Sequence, residues 1–400
     1  MKPVSRNIRL LHWFYFWGDF RPYGPIAILY YAQVTGSYAL GMSVFSAAML
    51  SQSLFEVPTG VFSDLIGRKW TVVCGAVAGV FALLFYALGG SYPLLLVGAV
   101  CEGIGRAFYS GNNDALLYDT LAELEQRETF QDYLGKTSSM FQLALAISAV
   151  LGSLLAAISF QVVMWVSVIP MVLALLVSLR LIEPQVHEKI GINAYAHLAT
   201  AARNFFRNSR LMLLSIASIL SFAIGEAAWL FRSAFVATLW PVWAIGIGQM
   251  FGNATAAASF YFAGRLIRRF GEFRLLVGGM TISEAINLLG LIFPGVLAPA
   301  IMAANSCFYG VNTVAKSSLV QQEFSDEQRA TMGSLNSLAG SILFSLLSFL
   351  LGALADRIGV IPALITAALL GLVPMFLYAY VLRPAASHSV MGQHLTTDNP

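Results

Sequence analysis

Charge is scarce in this chain. Only 11% of its 400 residues are Asp, Glu, Lys or Arg, against about 25% in an ordinary soluble domain. Hydrophobic residues make up 58% and the mean hydropathy is +0.73, so no water-facing surface can be assembled around such a core and the solvent must be lipid. Cysteine is scarcer still. Cys74, Cys101 and Cys307 all fall in apolar stretches, at spacings that suit neither a metal nor a disulfide framework, and read as small core residues. A net charge of +3 without a basic run interleaved with aromatics excludes nucleic acid as a partner. There is no His-Glu-x-x-His, no Gly-x-Ser-x-Gly and no phosphate loop, and His187-Glu188 lacks a second His, which leaves a membrane-embedded enzyme as a remote reading. No metal site and no cofactor are expected. Lys2, Arg6 and Arg9 precede an apolar run, but Asp19 and Arg21 interrupt it and no small-residue cleavage site follows, so a cleaved signal is not expected.

What the chain does have is apolar segments of about 20 residues, the length that crosses a bilayer. Twelve can be drawn: 8–32, 38–63, 70–90, 92–118, 136–159, 161–181, 211–239, 242–263, 274–293, 296–322, 330–354 and 359–382. With the N-terminus in the cytoplasm, 18 of the 23 Lys and Arg residues fall in inner connections or termini and only Arg357 falls outside. That bias fixes a multi-pass topology with both ends inside the cell, in the inner or plasma membrane. Residues 183–210 divide the chain into an N-terminal half, 1–182, and a C-terminal half, 211–383, and 384–400 reads as a disordered tail whose His388 and His394 are solvated. Within the divider, Ile192 to Phe206 alternates apolar with small or basic residues, the pattern of a helix lying on the membrane surface. The inner loop Asp119 to Lys136 is acidic and reads as a solvated helical extension. Gly135-Lys-Thr-Ser-Ser and Ala330-Thr-Met-Gly-Ser open segments five and eleven in matching settings, a weak internal repeat. Gly75-x-x-x-Gly79 and Gly248-x-x-x-Gly252 read as close-packing signals between helices.

Between segments two and three lies Glu56-Val-Pro-Thr-Gly-Val-Phe-Ser-Asp-Leu-Ile-Gly-Arg-Lys69. Its pattern Gly60-x-x-x-Asp64-x-x-Gly67-Arg68-Lys69 resembles the signature loop of the major facilitator superfamily. The resemblance implies an all-α membrane protein of twelve transmembrane helices in two six-helix halves around a central cavity. It also implies that Asp64 sits against the positive N-terminal end of segment eleven to close the inner side, with Arg68 and Lys69 tuning the acid and Gly60 and Gly67 allowing close approach. Phe55-Glu-Val-Pro-Thr-Gly60 and Leu116-Leu-Tyr-Asp-Thr120 look like a bacterial drug-efflux-like branch. Segment five reads Ala149-Val-Leu-Gly-Ser-Leu-Leu, without the Gly-Pro pair that antiporters of that branch usually carry.

An ionisable group at the bilayer centre costs about 3 kcal/mol or more and needs a partner or a wet cavity. Asp19 and Arg21 fall in segment one, Glu102 and Arg106 in segment four, Glu226 and Arg232 in segment seven, Glu284 in segment nine, and Lys316 in segment ten below Asn305 and Asn312. In the resembled fold, segments one, four, seven and ten line the cavity. Glu102 and Arg106, four apart, share a helix face and can pair, either as a structural bridge or as a proton-responsive pair. Asp19 and Arg21 face different ways on a regular helix, but Pro22 and Pro25 follow at once and can break segment one. Glu226 has no base three or four positions away, which makes it the prime proton carrier; Glu284, on a peripheral segment, is the less clear acid.

These readings converge on a secondary active transporter working by alternating access. The expected activity is proton-coupled export, by antiport, of a small amphiphilic or drug-like compound, with the proton gradient as energy source. An organic anion or zwitterionic metabolite held by Arg21, Arg106 and Arg232 is the alternative cargo, and lipid flipping is a remote one. The expected partners are the small-molecule substrate, protons and membrane lipid, and the expected state is a monomer.

Overall fold

The computed structural model describes residues 3–185, 209–322 and 326–383, and among these there is helix and no strand. Lipid offers no partner for backbone amides, so an apolar segment buried in it must bond to itself as a helix. The N-terminal half runs α1 (Arg6–Asp19), α2 (Ala27–Thr35), α3 (Tyr38–Ile66), α4 (Arg68–Leu88), α5 (Tyr92–Tyr109), α6 (Asn112–Glu123), α7 (Phe130–Ala156) and α8 (Phe160–Leu179). The C-terminal half runs α9 (Ser209–Leu239), α10 (Val242–Phe270), α11 (Glu272–Ile292), α12 (Ala298–Ala304), α13 (Tyr309–Gln322), α14 (Asp326–Ile358) and α15 (Val360–Val381). Each of the twelve apolar segments is helical. The first is split into α1 and α2, and the tenth into α12 and α13, where the helix tightens to a 3-10 turn at Asn305–Phe308.

Eight helices among the described residues are long and apolar enough to cross a membrane. Segments one, four, eight and ten fall short because they are broken or carry polar groups. Three of these four are among the segments that the resemblance expects to line the cavity.

Several expected boundaries move. Segment four does not run unbroken from 92 to 118: α5 stops at Tyr109 and α6 starts afresh at Asn112, with Gly111 at φ +68° between them. Segments five and eleven begin at Phe130 and Asp326, several residues before Gly135 and Ala330, because polar positions ahead of them still form helix. Cys74 and Cys101 are half-buried and Cys307 is exposed, so none is the fully buried core residue expected. The expected surface helix over Ile192–Phe206 and the tail from 384 lie outside the described residues.

Within the N-terminal half, α4 packs on α5 and α8, α3 on α5, and α1 on α7 and α8. Their common core holds Leu11, Tyr31, Val72, Leu95, Leu116 and Val163, each at most 1% exposed. In the C-terminal half α9 packs on α14 and α15, α10 on α13, and α11 on α13 and α15. Gly75 and Gly79 sit against Tyr109 and Met171 and act as packing positions.

The two halves meet along α3 against α14 and α7 against α10. Among the described residues, its named contacts lie on the part of α3 remote from the α3–α4 turn. There Ile28 and Met42 join Phe231, Phe344 and Leu351 in one apolar cluster. Ser46 Oγ donates to the Ser345 carbonyl at 3.1 Å. Gly352 lies on the backbone of Tyr38 and Ala39, and Gly246 on the Ala149 carbonyl, with no room for a Cβ at either place. Toward the basic end the halves diverge. Leu54, Phe55, Glu56 and Val57 are consecutive and all exposed. Four consecutive positions cover every side of a helix, so α3 loses its partner across the junction there.

Candidate functional site

Segment one breaks where the sequence loses amide donors. Pro22 and Pro25 cannot donate to the preceding turn. Helix α1 ends at Asp19, and the chain turns through Phe20–Tyr23 before a short 3-10 helix at Gly24–Ile26 feeds α2. Ending at Asp19 lets the chain fold back, so Arg21 reaches the Asp19 carboxylate at 2.9 Å and donates through Nε to the Gly18 carbonyl. The regular-helix expectation, with the two charges facing apart, is therefore corrected: they form an ion pair.

Glu102 and Arg106 pair as their spacing requires, at 2.6 Å. Glu102 holds more than Arg106. Its Oε1 also accepts from the Tyr23 hydroxyl at 3.1 Å and its Oε2 from the Tyr86 hydroxyl at 2.8 Å. Both oxygens of this acid are thus occupied by three side chains from the break, α4 and α5. The cluster borders a cavity of about 420 Å³ lined by Arg21, Tyr23, Glu102, Arg106, Tyr109 and Met171, all of the N-terminal half. Among the described residues, Arg106 Nε and the Tyr109 hydroxyl are buried with no hydrogen-bond partner.

Glu226 on α9 is different. It is half-buried, and among the described residues no base lies within 4 Å of it. Its charge is felt by Arg106 across the junction and by Tyr309 on α13. Two turns on, Arg232 donates to Asn287 Oδ1 at 3.0 Å. It lines a second cavity, of about 690 Å³, that includes Gly24 and Phe45 from one half and Trp229, Arg232, Gln249 and Asn253 from the other. Gly248 and Gly252 line this cavity too, so the second small-residue pair shapes a space as well as a contact.

Asn305, Asn312 and Glu284 do not turn to this space as expected. Asn305 Nδ2 donates to Ser283 and to Asn287 Oδ1 at 3.1 Å, Asn312 lies on Gly279, and Glu284 lies on Gly371. They form a polar seam around α11 inside the C-terminal half, with Glu284 close enough to Arg232 to interact electrostatically. Lys316 lines neither cavity. Nine of the ten residues expected at one cavity fall instead in three places, an ionic cluster in one half, a seam in the other, and Glu226 and Arg232 at the junction, and Lys316 joins none of them.

At the basic end, Asp64 is 64% exposed and, among the described residues, pairs with Arg68 at 3.7 Å. The acid at the start of α4 is Glu183, whose two oxygens accept from the backbone amides of Arg68 at 2.7 Å and Lys69 at 2.8 Å. These are the unpaired donors of a helix N-terminus, where negative charge is favoured. Gly67, at φ +104°, makes the turn and leaves the space that the Glu183 carboxylate fills. Arg68 also reaches Asp119 at 3.6 Å. Gly60 is exposed and has open space around it. At the opposite end an equivalent cap crosses the junction. Asp356 of α14 accepts from Ser37 Oγ at 2.5 Å and from the backbone amides of Tyr38 at 2.7 Å and Ala39 at 3.0 Å, the start of α3. Tyr38 stacks edge-on against Phe231 beside it, at 5.2 Å. Sequence reasoning missed Asp356, Glu183, Tyr23 and Tyr86. The only available signal was an acid one turn from a helix end, and it carried no hint of the partner.

A family model described as Major Facilitator Superfamily matches residues 10–346. An uncharacterised MFS-type transporter of Methanocaldococcus jannaschii is 26% identical over 33% of this chain and 33% of its own length. A Na(+), Li(+), K(+)/H(+) antiporter of Planococcus maritimus is 28% identical over 43% of this chain and 41% of its own length. The chain thus matches well under half the length of either relative. Among solved structures, a mutant form of the nucleoside transporter NupG superposes with a TM-score of 0.81 at 15% identity, covering 94% of this chain and 99% of that one. A bacterial homologue of the human lysosomal transporter Spinster, inward-facing and unoccupied, superposes at 0.75 with 14% identity, covering 96% and 98%. At these identities the superpositions establish the shared fold.

Proposed function

This chain belongs to the major facilitator superfamily, and on that premise we propose that it is a secondary active transporter in which the proton gradient drives alternating access. The observation that carries the reading is Glu226: an acid on an apolar helix, unpaired among the described residues, at the junction of two halves whose contacts, among the described residues, lie toward one end. Glu102, by contrast, is held by Tyr23, Tyr86 and Arg106. An acid with three donors already in place serves as a fixed part, while an acid with none is free to exchange a proton when water reaches it. The broken segment one and the α12–α13 break border the same junction, and irregular backbone at membrane depth is tolerated where it lines a cavity.

Alternation would proceed by rocking one half on the other. With the basic end in the cytoplasm, as the Lys and Arg distribution favours, the arrangement described is open inward and sealed outward by the α3–α14 contact and the Asp356 cap. Asp64, exposed here, would take the corresponding role against α14 when the inner end closes. The cargo we favour is a small amphiphilic or drug-like compound leaving the cell in exchange for protons, consistent with the resemblance of Phe55–Gly60 and Leu116–Thr120 to the efflux-like branch.

The test is transport in proteoliposomes under an imposed pH gradient, screening a compound library with wild-type protein and Glu226→Gln. Gradient-driven movement of a compound by the wild type that the mutant loses, while the mutant still binds the compound, supports the reading. Undiminished gradient-driven movement by the mutant removes Glu226 from the role.

A further inference from the structure

Arg232 stands apart from the other buried cations. Arg21 has Asp19 at 2.9 Å and Arg106 has Glu102 at 2.6 Å. Among the described residues no acid lies within 4 Å of Arg232, and its hydrogen bond there is one to the neutral Asn287. Among the described residues Lys316 also has no acid within that distance, but it lines neither of the two cavities. Arg232 is, among the described residues, a guanidinium in no salt bridge, with Glu284 acting on it from beyond 4 Å, and it has a space next to it. That space is lined by residues of both halves, Gly24 and Phe45 from one and Trp229, Gln249 and Asn253 from the other.

The walls refine the chemistry. Trp229 and Trp240 flank the cavity and Phe45 reaches in from the other half, which provides flat apolar surface of the kind that holds aromatic bodies. Gln249 lines the same space, and among the described residues its Oε1 is buried with no hydrogen-bond partner. A buried acceptor of that kind is costly unless something donates to it. An anion opposite Arg232 would gain charge-assisted bonds to a planar fork with donors to spare.

We propose that this cavity takes an amphiphile made of an aromatic body and a single anionic group, a carboxylate or sulfonate. The anion sits on Arg232, the rings lie against Trp229 and Trp240, and a hydroxyl or amine donor on the ligand reaches Gln249. The inference rests on the transporter reading above and names the class of its cargo: Glu226 serves the proton and Arg232 the substrate, two turns apart on one helix. The pocket spans both halves, so an occupant would bridge them.

Two probes that share one aromatic body separate charge from shape: anilinonaphthalene sulfonate and the uncharged N-phenylnaphthylamine. Binding of each to purified protein in zwitterionic nanodiscs is measured by equilibrium dialysis against empty discs. Wild-type protein, Arg232→Gln and Arg232→Lys are compared, with thermal unfolding as the check on folding. Losing charge-assisted hydrogen bonds should weaken sulfonate binding about tenfold or more in Arg232→Gln. Arg232→Lys should recover part of it, and the uncharged probe should bind all three proteins alike. Equal sulfonate binding by wild type and Arg232→Gln overturns the proposal. So does a parallel loss of both probes in a folded variant, or a wild type with no saturable sulfonate binding. The same proteins in vesicles under a pH gradient keep the two readings apart. Sulfonate binding that depends on Arg232 without gradient-driven movement of either probe would remove the transport reading and leave the anion site. Gradient-driven movement of the uncharged probe or a cationic dye, indifferent to Arg232→Gln, would leave transport and remove the anion site.

Discussion

Two glutamates on apolar helices received different surroundings from the same fold. Glu102 accepts from Arg106, Tyr23 and Tyr86, and removing its charge would strand the Arg106 guanidinium, whose Nε is already buried without a partner. We expect Glu102→Gln to lower stability by about 2 kcal/mol, in the range for losing hydrogen bonds to a charged group, read as a drop in the thermal unfolding midpoint of the purified protein. The double change Glu102→Gln, Arg106→Gln should recover part of that loss, since it removes both charges together. If the single change leaves the midpoint where it was, the cluster is not a structural bridge. The presence of this pair was legible in the sequence, because four residues on a helix return to the same face. Its tyrosines were not, since Tyr23 comes from a turn 79 positions away in the chain and no local pattern announces it. The same limit applied to Asn305, Asn312 and Glu284. Sequence placed them within apolar segments, but position along a helix says nothing of rotation about its axis: Asn305 and Asn312 turn toward α11, and Glu284, itself on α11, lies against Gly371 of α15.

At the scale of the helix, the segments with the clearest physical cause were the most readable. Two prolines within four positions broke segment one as expected, and long apolar runs such as α4 and α15 matched their expected ends within two residues. The α5–α6 break lies in the polar stretch Ser110-Gly-Asn-Asn-Asp114, a turn signal outweighed by the apolar runs on either side. The caps were hidden for another reason. Asp356 and Glu183 both bind the first amides of a distant helix, so each depends on the register between helices rather than on its own neighbours. For Asp356 this has a consequence. It is a carboxylate from one half bonded to a helix N-terminus of the other, on the same α3–α14 seam as the Ser46–Ser345 contact, and so is placed to hold that end closed. In protein with Cys74, Cys101 and Cys307 replaced, a cysteine at Ser46 is buried at the sealed end. Adding Asp356→Ala should speed its reaction with a membrane-impermeant thiol reagent about tenfold, the effect of about 1.4 kcal/mol on the seal. An unchanged rate would mean that apolar packing alone closes this end.

At the scale of the molecule, the fold was the most legible feature of all. Twelve apolar segments, the skewed Lys and Arg and the Gly60–Lys69 loop pointed to two six-helix halves, and the family match and the superpositions agree. The conformation was not legible. The sequence suggested Asp64 against α14, whereas Asp64 is exposed and the contact between halves lies at the other end, because one sequence must be compatible with both closures and does not state which is populated. The central claim is that these two ends open in turn. Label pairs read it directly: Leu65 with Phe270 at the basic end, and Ile158 with Val296 at the opposite end, all four exposed. Distances within each pair, measured by pulsed electron resonance in nanodiscs, are compared between the cysteine-replaced protein and its Asp356→Ala variant. The account predicts reciprocal movement: on losing the cap, the Ile158–Val296 distribution shifts longer while Leu65–Phe270 shifts shorter. Both distances lengthening together, or the Leu65–Phe270 distance staying fixed while the other end opens, would contradict it.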